Sequence, residues 1–218
     1  MEGTNLILSG VYDKRTIEFA LGQGITHFSF DFRPTSVNFI QQYILEDCIN
    51  VLMKDYNPKR FKIFLKFHHE KDFMIKNILS SFKGTGIEVT LQILSNEDTE
   101  YFKALGTKLS LYYDQDVPMQ AAVKSGLVES VSLSYQYLEE LAQSERLYHF
   151  ISNMNARLGS HFPYVIALNW DLNVSRVVLD GFDVDYVELP INNFVEVCYR
   201  NVDLSKLDKG LKDYQTFL

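Results

Sequence analysis

The stretch "LILSGVYDKRTIEFALGQGITHFSFDFRPTSVNF" runs from Leu6 to Phe39. Leu6–Ser9 is a short apolar run closed by a hydroxyl, which suits a buried strand. Asp13 follows where a helix N-cap belongs, because its carboxylate can accept orphan amide hydrogens. Spaced apolar positions predict a helix over Asp13–Gln23, and Gly24 ends it in the manner of a residue with positive φ. Thr26–Phe32 then predicts a second strand, with Arg33 and Pro34 just past it.

The same alternation continues to the end of the chain. Further strands are expected at Phe61–His68, Glu88–Leu94, Lys108–Tyr113, Ser130–Ser134, Tyr164–Leu168 and Tyr186–Leu189. Helices are expected at Phe39–Lys54, Glu70–Phe82, Glu97–Leu105 with Asn96 as its cap, Val117–Ser125, Leu138–Leu158, Val174–Leu179 and Lys206–Phe217. Gly84, Gly86, Gly106, Gly126 and Gly159 sit where helical stretches stop. Eight strand–helix units joined by short connections favour an α/β fold, a single (β/α)8 TIM barrel, over a doubly wound sheet. At 218 residues and 46% hydrophobic, one such domain spanning 1–218 can bury a full core. Five prolines and eleven glycines leave no linker to divide it.

Net charge of −7 argues against a general nucleic-acid binder. The basic cluster Lys54–Lys66 reads as solvated flanks of a strand. No basic leader with an apolar segment precedes the first strand, and no run approaches a membrane span, so a cytoplasmic protein without membrane contact is expected. Cys48 falls on the apolar side of a helix and reads as a buried free thiol. His27, alternating with Phe28 and Phe30, is expected between the strand and helix layers. His68 and His69 are neighbours on a strand and point to opposite faces, so no metal site is expected from them, and no cofactor is implied.

The opening stretch resembles the phosphoribosylanthranilate isomerase family of tryptophan biosynthesis. That family begins with a strand ending in Cys-Gly-Ile-Thr, and its second strand reads Gly-Phe-x-Phe-x-Pro-x-Ser-x-Arg. Here stand Ser9-Gly10-Val11-Tyr12 and then Ser29-Phe30-Asp31-Phe32-Arg33-Pro34-Thr35-Ser36-Val37-Asn38, with no gap from Gly10 to Asn38. Leu91-Gln92-Ile93-Leu94-Ser95 matches the family's Val-Gln-Leu-His-Gly, and Asn169-Trp170-Asp171-Leu172 its Ser-Gly-Gly-Leu. The resemblance implies an Amadori rearrangement with a cysteine base after strand one and an aspartate acid after strand six. It also implies glycine-rich loops after strands seven and eight that hold a phosphate.

At those positions the residues differ. The base position is Ser9, a very poor general base without a partner. Strand six ends in Ser134 with no carboxylate, since Glu129 comes too early and Glu139 and Glu140 lie in the next helix. Asn38 replaces the family's arginine. Trp170 and Asp171 replace the two glycines, and a carboxylate about 5 Å from a phosphate costs on the order of a few kcal/mol.

The expectation is a diverged barrel without efficient isomerisation, one that binds a small polar or aromatic metabolite at the strand-end mouth. Arg33, Asn38, Gln92, Ser134, Asn169 and Trp170 are the candidate lining groups. Arg33 can bind a carboxylate or phosphate bidentately, or pair with Asp31 or Asp171. Tyr12, Tyr112, Tyr113 and Tyr135 also fall near strand ends, where aromatic rings either stack on a ligand or plug the pocket. Two alternatives stay open: a non-catalytic barrel that engages a protein partner, and a surviving isomerase with a rearranged pair, Ser9 and Asp171.

Overall fold

The computed structural model describes residues 4–55, 57–159, 162–181, 184–216 and 218. Eight parallel strands close in sequence order into a barrel: β1 (Asn5–Ser9), β2 (His27–Asp31), β3 (Lys62–Lys66), β4 (Glu88–Leu94), β5 (Lys108–Tyr112), β6 (Val128–Leu133), β7 (Tyr164–Ala167) and β8 (Tyr186–Pro190). β8 returns to pair with β1, placing Ser9 opposite Pro190. The helices are α1 (Lys14–Gly22), α2 (Gln42–Asp55), α3 (Asp72–Ser80), α4 (Thr99–Lys103), α5 (Gln120–Lys124), α6 (Tyr135–Gln143), α7 (Leu147–Leu158), α8 (Asn173–Gly181) and α9 (Leu204–Gln215). The chain is a (β/α)8 TIM barrel.

Local chemistry sets most boundaries. Asp13 caps α1 by accepting from Thr16 N at 2.8 Å. The expected cap Asn96 is corrected to Asp98, whose carboxylate accepts from Glu100 N at 3.0 Å. The long helix expected over Leu138–Leu158 is two helices, because Glu145 turns left-handed at φ 56° between α6 and α7. Phe217, the expected end of the last helix, lies outside the described residues.

Between β8 and α9 the chain adds a small antiparallel hairpin, β9 (Glu196–Cys198) and β10 (Asn201–Val202). The hairpin closes over the loops after β1 and β2. The Tyr12 hydroxyl donates to Glu196 Oε1 at 2.5 Å, Arg200 lies over the Tyr12 ring at 4.8 Å, and Arg200 Nη1 donates to the Phe39 carbonyl at 2.9 Å.

The apolar and polar faces of the strands are unusually separated. Leu8, Phe28, Phe30, Leu65, Leu91 and Ile166 point outward into the core shared with the helices. Inside the barrel a much smaller apolar group, Ile7, Phe64 and Val165 with Tyr186 against them, closes the N-terminal half. Interiors of such barrels are ordinarily filled by bulky branched side chains. Here the upper interior is polar: Ser29, Gln92 and Ser110 are fully buried, with Ser9, Ser130, Ser132, Lys66 and Glu188 around them.

Two expectations change as a result. Lys62 and Lys66 are not solvated flanks, since both are buried inside the barrel on the same face as Phe64. His27 also points inward. It pairs in register with Ile7 and Lys62, and its ring lies 5.7 Å from Tyr186. Lys62 is held there by Glu88 and Glu129, each at 2.8 Å, and Glu129 also accepts from Thr90. Cys48 is buried as expected, and burial pushes its thiol up to about 12.

Candidate functional site at the barrel mouth

Parallel register aligns one inward residue per strand near the C-terminal ends. Asp31 lies opposite Lys66, Lys66 opposite Gln92, Gln92 opposite Ser110, and Ala167 opposite Glu188. Lys66, Gln92, Ser110 and Glu188 join Ser9, Ser130 and Ser132 in one hydrogen-bonded network. The Lys66 ammonium forms an ion pair with Glu188 and donates to Ser9 Oγ at 2.9 Å. Gln92 Nε2 donates to Glu188 Oε2 and to Ser132 Oγ, both at 3.1 Å. Ser132 is bonded to Ser110 at 2.8 Å, and Ser130 donates to Ser110 at 2.8 Å.

A buried charge persists only when paired and hydrogen-bonded, and the network meets both needs. Burial alone would raise the Glu188 carboxyl, but Lys66 holds it below its ordinary value. Burial alone would lower the Lys66 ammonium, but Glu188 holds it above its ordinary value. Both groups are therefore charged at neutral pH. Ser9 accepts from a charged ammonium and is hydrogen-bonded to the Glu188 carboxylate, whose lowered pKa makes it a weak base for the Ser9 proton.

Above this layer Arg33 grips Asp31 through both ends of its guanidinium. Nε donates to Oδ1 at 2.8 Å and Nη2 to Oδ2 at 2.5 Å. Of the partners open to Arg33 in the sequence, Asp31 is the one it takes. The paired residues lie at the β2 end, with Asp31 buried and Arg33 partly exposed. Nearby, the edge of one ring of the His68–Tyr112 pair meets the face of the other, with centroids 5.5 Å apart. His68 Nε2 and the Tyr112 hydroxyl are buried and have no hydrogen-bond partner among the described residues.

Burial pushes His27 and His68 down to about 4, aided by Lys62 and Arg33 respectively. An unfolded histidine titrates near 6.5. Between about pH 6.5 and 4 the unfolded chain binds protons that the folded chain refuses, so stability falls with pH through that window. The urea midpoint is expected to drop from pH 7 to pH 5. That slope should flatten in a His27→Gln, His68→Gln double variant.

The β7 and β8 loops are closed upon themselves. Asn169 Oδ1 accepts from Trp170 N at 2.9 Å and from Asn192 Nδ2 at 3.1 Å. Asn192 Oδ1 accepts from Phe194 N at 3.1 Å. Trp170 turns outward toward α9, where its ring lies against Gly210 and edge-on to Tyr214 at 6.2 Å. Its Nε1 donates to the Pro190 carbonyl at 2.7 Å. Asp171 accepts from the Tyr135 hydroxyl at 2.8 Å.

Asn38 is equally committed. Its Nδ2 donates to the Ile191 carbonyl at 2.7 Å, and its side chain lies directly over Gly10. A Cβ on Gly10 would overlap that amide, and φ of +72° disfavours other residues there as well.

Open space lies on the other side of the mouth. A cavity of about 630 Å³ is bounded by Leu94, Ser95, Tyr112, Tyr113, Ser134 and Arg146, with further residues of the β5 loop and α6. A second hollow of about 330 Å³ adjoins it and shares Tyr113, Asp114 and Gln115. Ser134 caps α6 by accepting from Tyr137 N at 3.3 Å, so it borders the cavity from a fixed position.

The structure thus brings Ser9 and Gln92 into one buried network, sets Arg33 above it, and puts Ser134 at the cavity. Asn38, Asn169 and Trp170 hold loops, and Asp171 is tied to α6. Sequence reasoning missed Lys66 and Glu188. Their signal was a period-two pattern, Lys62–Phe64–Lys66 in β3 and Glu188 between Val187 and Leu189 in β8, which puts each charge on one face of a buried strand.

No protein-family model and no curated protein matches the chain. Solved structures do match. Phosphoribosyl anthranilate isomerase from Thermotoga maritima shares 14% identity at a TM-score of 0.71, covering 98% of this chain and 100% of that one. The enzyme from Thermus thermophilus shares 12% at 0.68, covering 99% and 100%. Another phosphoribosyl anthranilate isomerase, in complex with reduced 1-(o-carboxyphenylamino)-1-deoxyribulose 5-phosphate, shares 15% at 0.71, covering 98% and 100%. At such identities the likeness is one of fold: from end to end, the chain is similar to the barrel of the phosphoribosylanthranilate isomerases.

Proposed function

We propose that this chain is a diverged relative of phosphoribosylanthranilate isomerase that no longer carries out the isomerisation efficiently. It binds a small polar or aromatic metabolite at the mouth, on the β4–β6 side. The observation that carries this reading is the closure of the β7 and β8 loops. Backbone amides that would face a phosphate donate to Asn169 and Asn192 within the same loops. A phosphate arriving there would have to displace those bonds and meet Asp171.

Acid–base chemistry fares no better. Amadori transfer needs a base and an acid across the substrate, each matched to the working pH. Ser9 is bound to an ammonium, and Asp171 to a tyrosine hydroxyl. The strongest ionisable pair, Lys66 with Glu188, is buried and mutually neutralised.

A metabolite panel followed by thermal unfolding tests the binding. A ligand at about a hundredfold its Kd stabilises by about 2.7 kcal/mol. For a chain of this size that raises Tm by about 5–10 °C. The shift should shrink in Arg146→Ala, an exposed residue at the cavity edge. No shift with any metabolite would remove the binding half of the reading.

A second reading, a barrel that engages a protein partner, is supported by Val37, Val197 and Tyr199. All three are at least two-thirds exposed where the hairpin meets the β2 loop.

A further inference from the structure

We propose that the cavity over the ends of β4, β5 and β6 takes a neutral polyhydroxylated ligand, a sugar-like ring without a phosphate. This rests on reading that cavity as the binding site. One wall is aromatic. Tyr113 and Tyr137 lie 5.4 Å apart at a tilt of 38°, and each meets Phe150 edge to face, at 5.1 and 5.3 Å. Such rings offer flat apolar faces to the C–H side of a sugar while their hydroxyls stay in reach of its oxygens.

The charges around the cavity select against anions. Asp114, Glu140 and Arg146 border it, and among the described residues none of the three is in an ion pair. Asp114 Oδ1 accepts from Asp116 N at 2.9 Å, and Glu140 Oε1 from Gln136 Nε2 at 3.3 Å. The Arg146 guanidinium donates through Nε to Ser144 Oγ at 3.0 Å. Each carboxylate keeps an acceptor oxygen for a ligand hydroxyl. A phosphate or carboxylate would meet two like charges against one opposite charge.

The inner wall adds a third tyrosine ring. Tyr112 lines the cavity with its ring, while its hydroxyl is buried on the barrel side, toward Lys66, Glu188 and Arg33. Two carboxylate acceptors and one guanidinium donor beside an aromatic wall match a ring bearing several hydroxyls. They do not match a planar acid.

Calorimetric titration with D-ribose and D-glucose, and with their phosphate esters, tests the ligand class. At least one free sugar is expected to bind with Kd of about 1 mM or tighter, and its ester at least about tenfold more weakly. Glu140→Gln, on an exposed residue, should weaken the free sugar and narrow the gap to the ester. Esters binding as tightly as the free sugars would overturn the ligand class while leaving the cavity as a binding site. Sugar binding unchanged by both Glu140→Gln and Arg146→Ala would place the site elsewhere and overturn the proposal. If neither sugars nor esters bind, the ligand class fails. Whether the broader reading survives then depends on the thermal panel of aromatic and acidic metabolites.

Discussion

Glu188→Ala is expected to lower stability by about 3–5 kcal/mol, because it leaves the Lys66 ammonium buried without its counter-charge. In a chain of this size the loss appears as a fall in Tm of about 10 °C. Lys66→Met should cost a similar amount for the mirror-image reason. Replacing both at once, with Lys66→Met and Glu188→Leu, should recover most of the loss, since apolar side chains of similar volume avoid the desolvation of two ions.

The pH dependence follows from the direction of each shift. The Glu188 carboxyl titrates below its unfolded value, so its contribution is present above that value and is lost as pH falls through the folded one. Lys66 titrates above its unfolded value, so its contribution is present below that value and is lost only in strong alkali. The gap between parent and Glu188→Ala should therefore be widest at neutral pH and should narrow in acid. Urea unfolding at pH 7 and pH 3 measures it.

Trp170→Ala is the other large effect, about 3 kcal/mol from lost packing and a lost hydrogen bond to Pro190. Gly210 makes the argument testable in a second way. A Cβ on Gly210 would lie 2.5 Å from Trp170 Cε3 and 2.8 Å from Cζ3. Gly210→Ala should therefore cost about 1–3 kcal/mol in the parent by forcing the indole to shift. With Trp170 already alanine the same change should stabilise by about 0.5–1 kcal/mol, because alanine suits a helix interior better than glycine. A reversal of sign around the four-variant cycle would show that the indole occupies the space glycine leaves open.

The pair also shows where the sequence was readable and where it was not. All eight strands and the glycine-ended helices follow from local periodicity and turn chemistry, which act over a few residues. The bulk of Trp170 in a loop position was visible too. Its destination was not, because Gly210 lies forty residues further along and only the closed barrel brings the two together. Charges inside the barrel were hidden for a related reason. A strand buried on both faces gives little contrast, so Lys62 and Lys66 looked like flanks, and His27 was assigned to the wrong face. The short hairpin β9–β10 and the left-handed turn at Glu145 carry no glycine or proline that would have marked them.

Ser9, Arg33, Gln92 and Ser134 were legible as mouth residues because each stands at a strand end or two residues from one. The Asp31 partner of Arg33 is local and was open to reading, whereas what Ser9 and Gln92 touch depended on Lys66 and Glu188, which lie on other strands.

A turnover assay with N-(5'-phosphoribosyl)anthranilate at high protein concentration tests the proposal that the barrel no longer isomerises efficiently. Conversion no faster than in the absence of protein is expected, with no change in Ser9→Ala. Saturable turnover that Ser9→Ala or Asp171→Asn abolishes would contradict it.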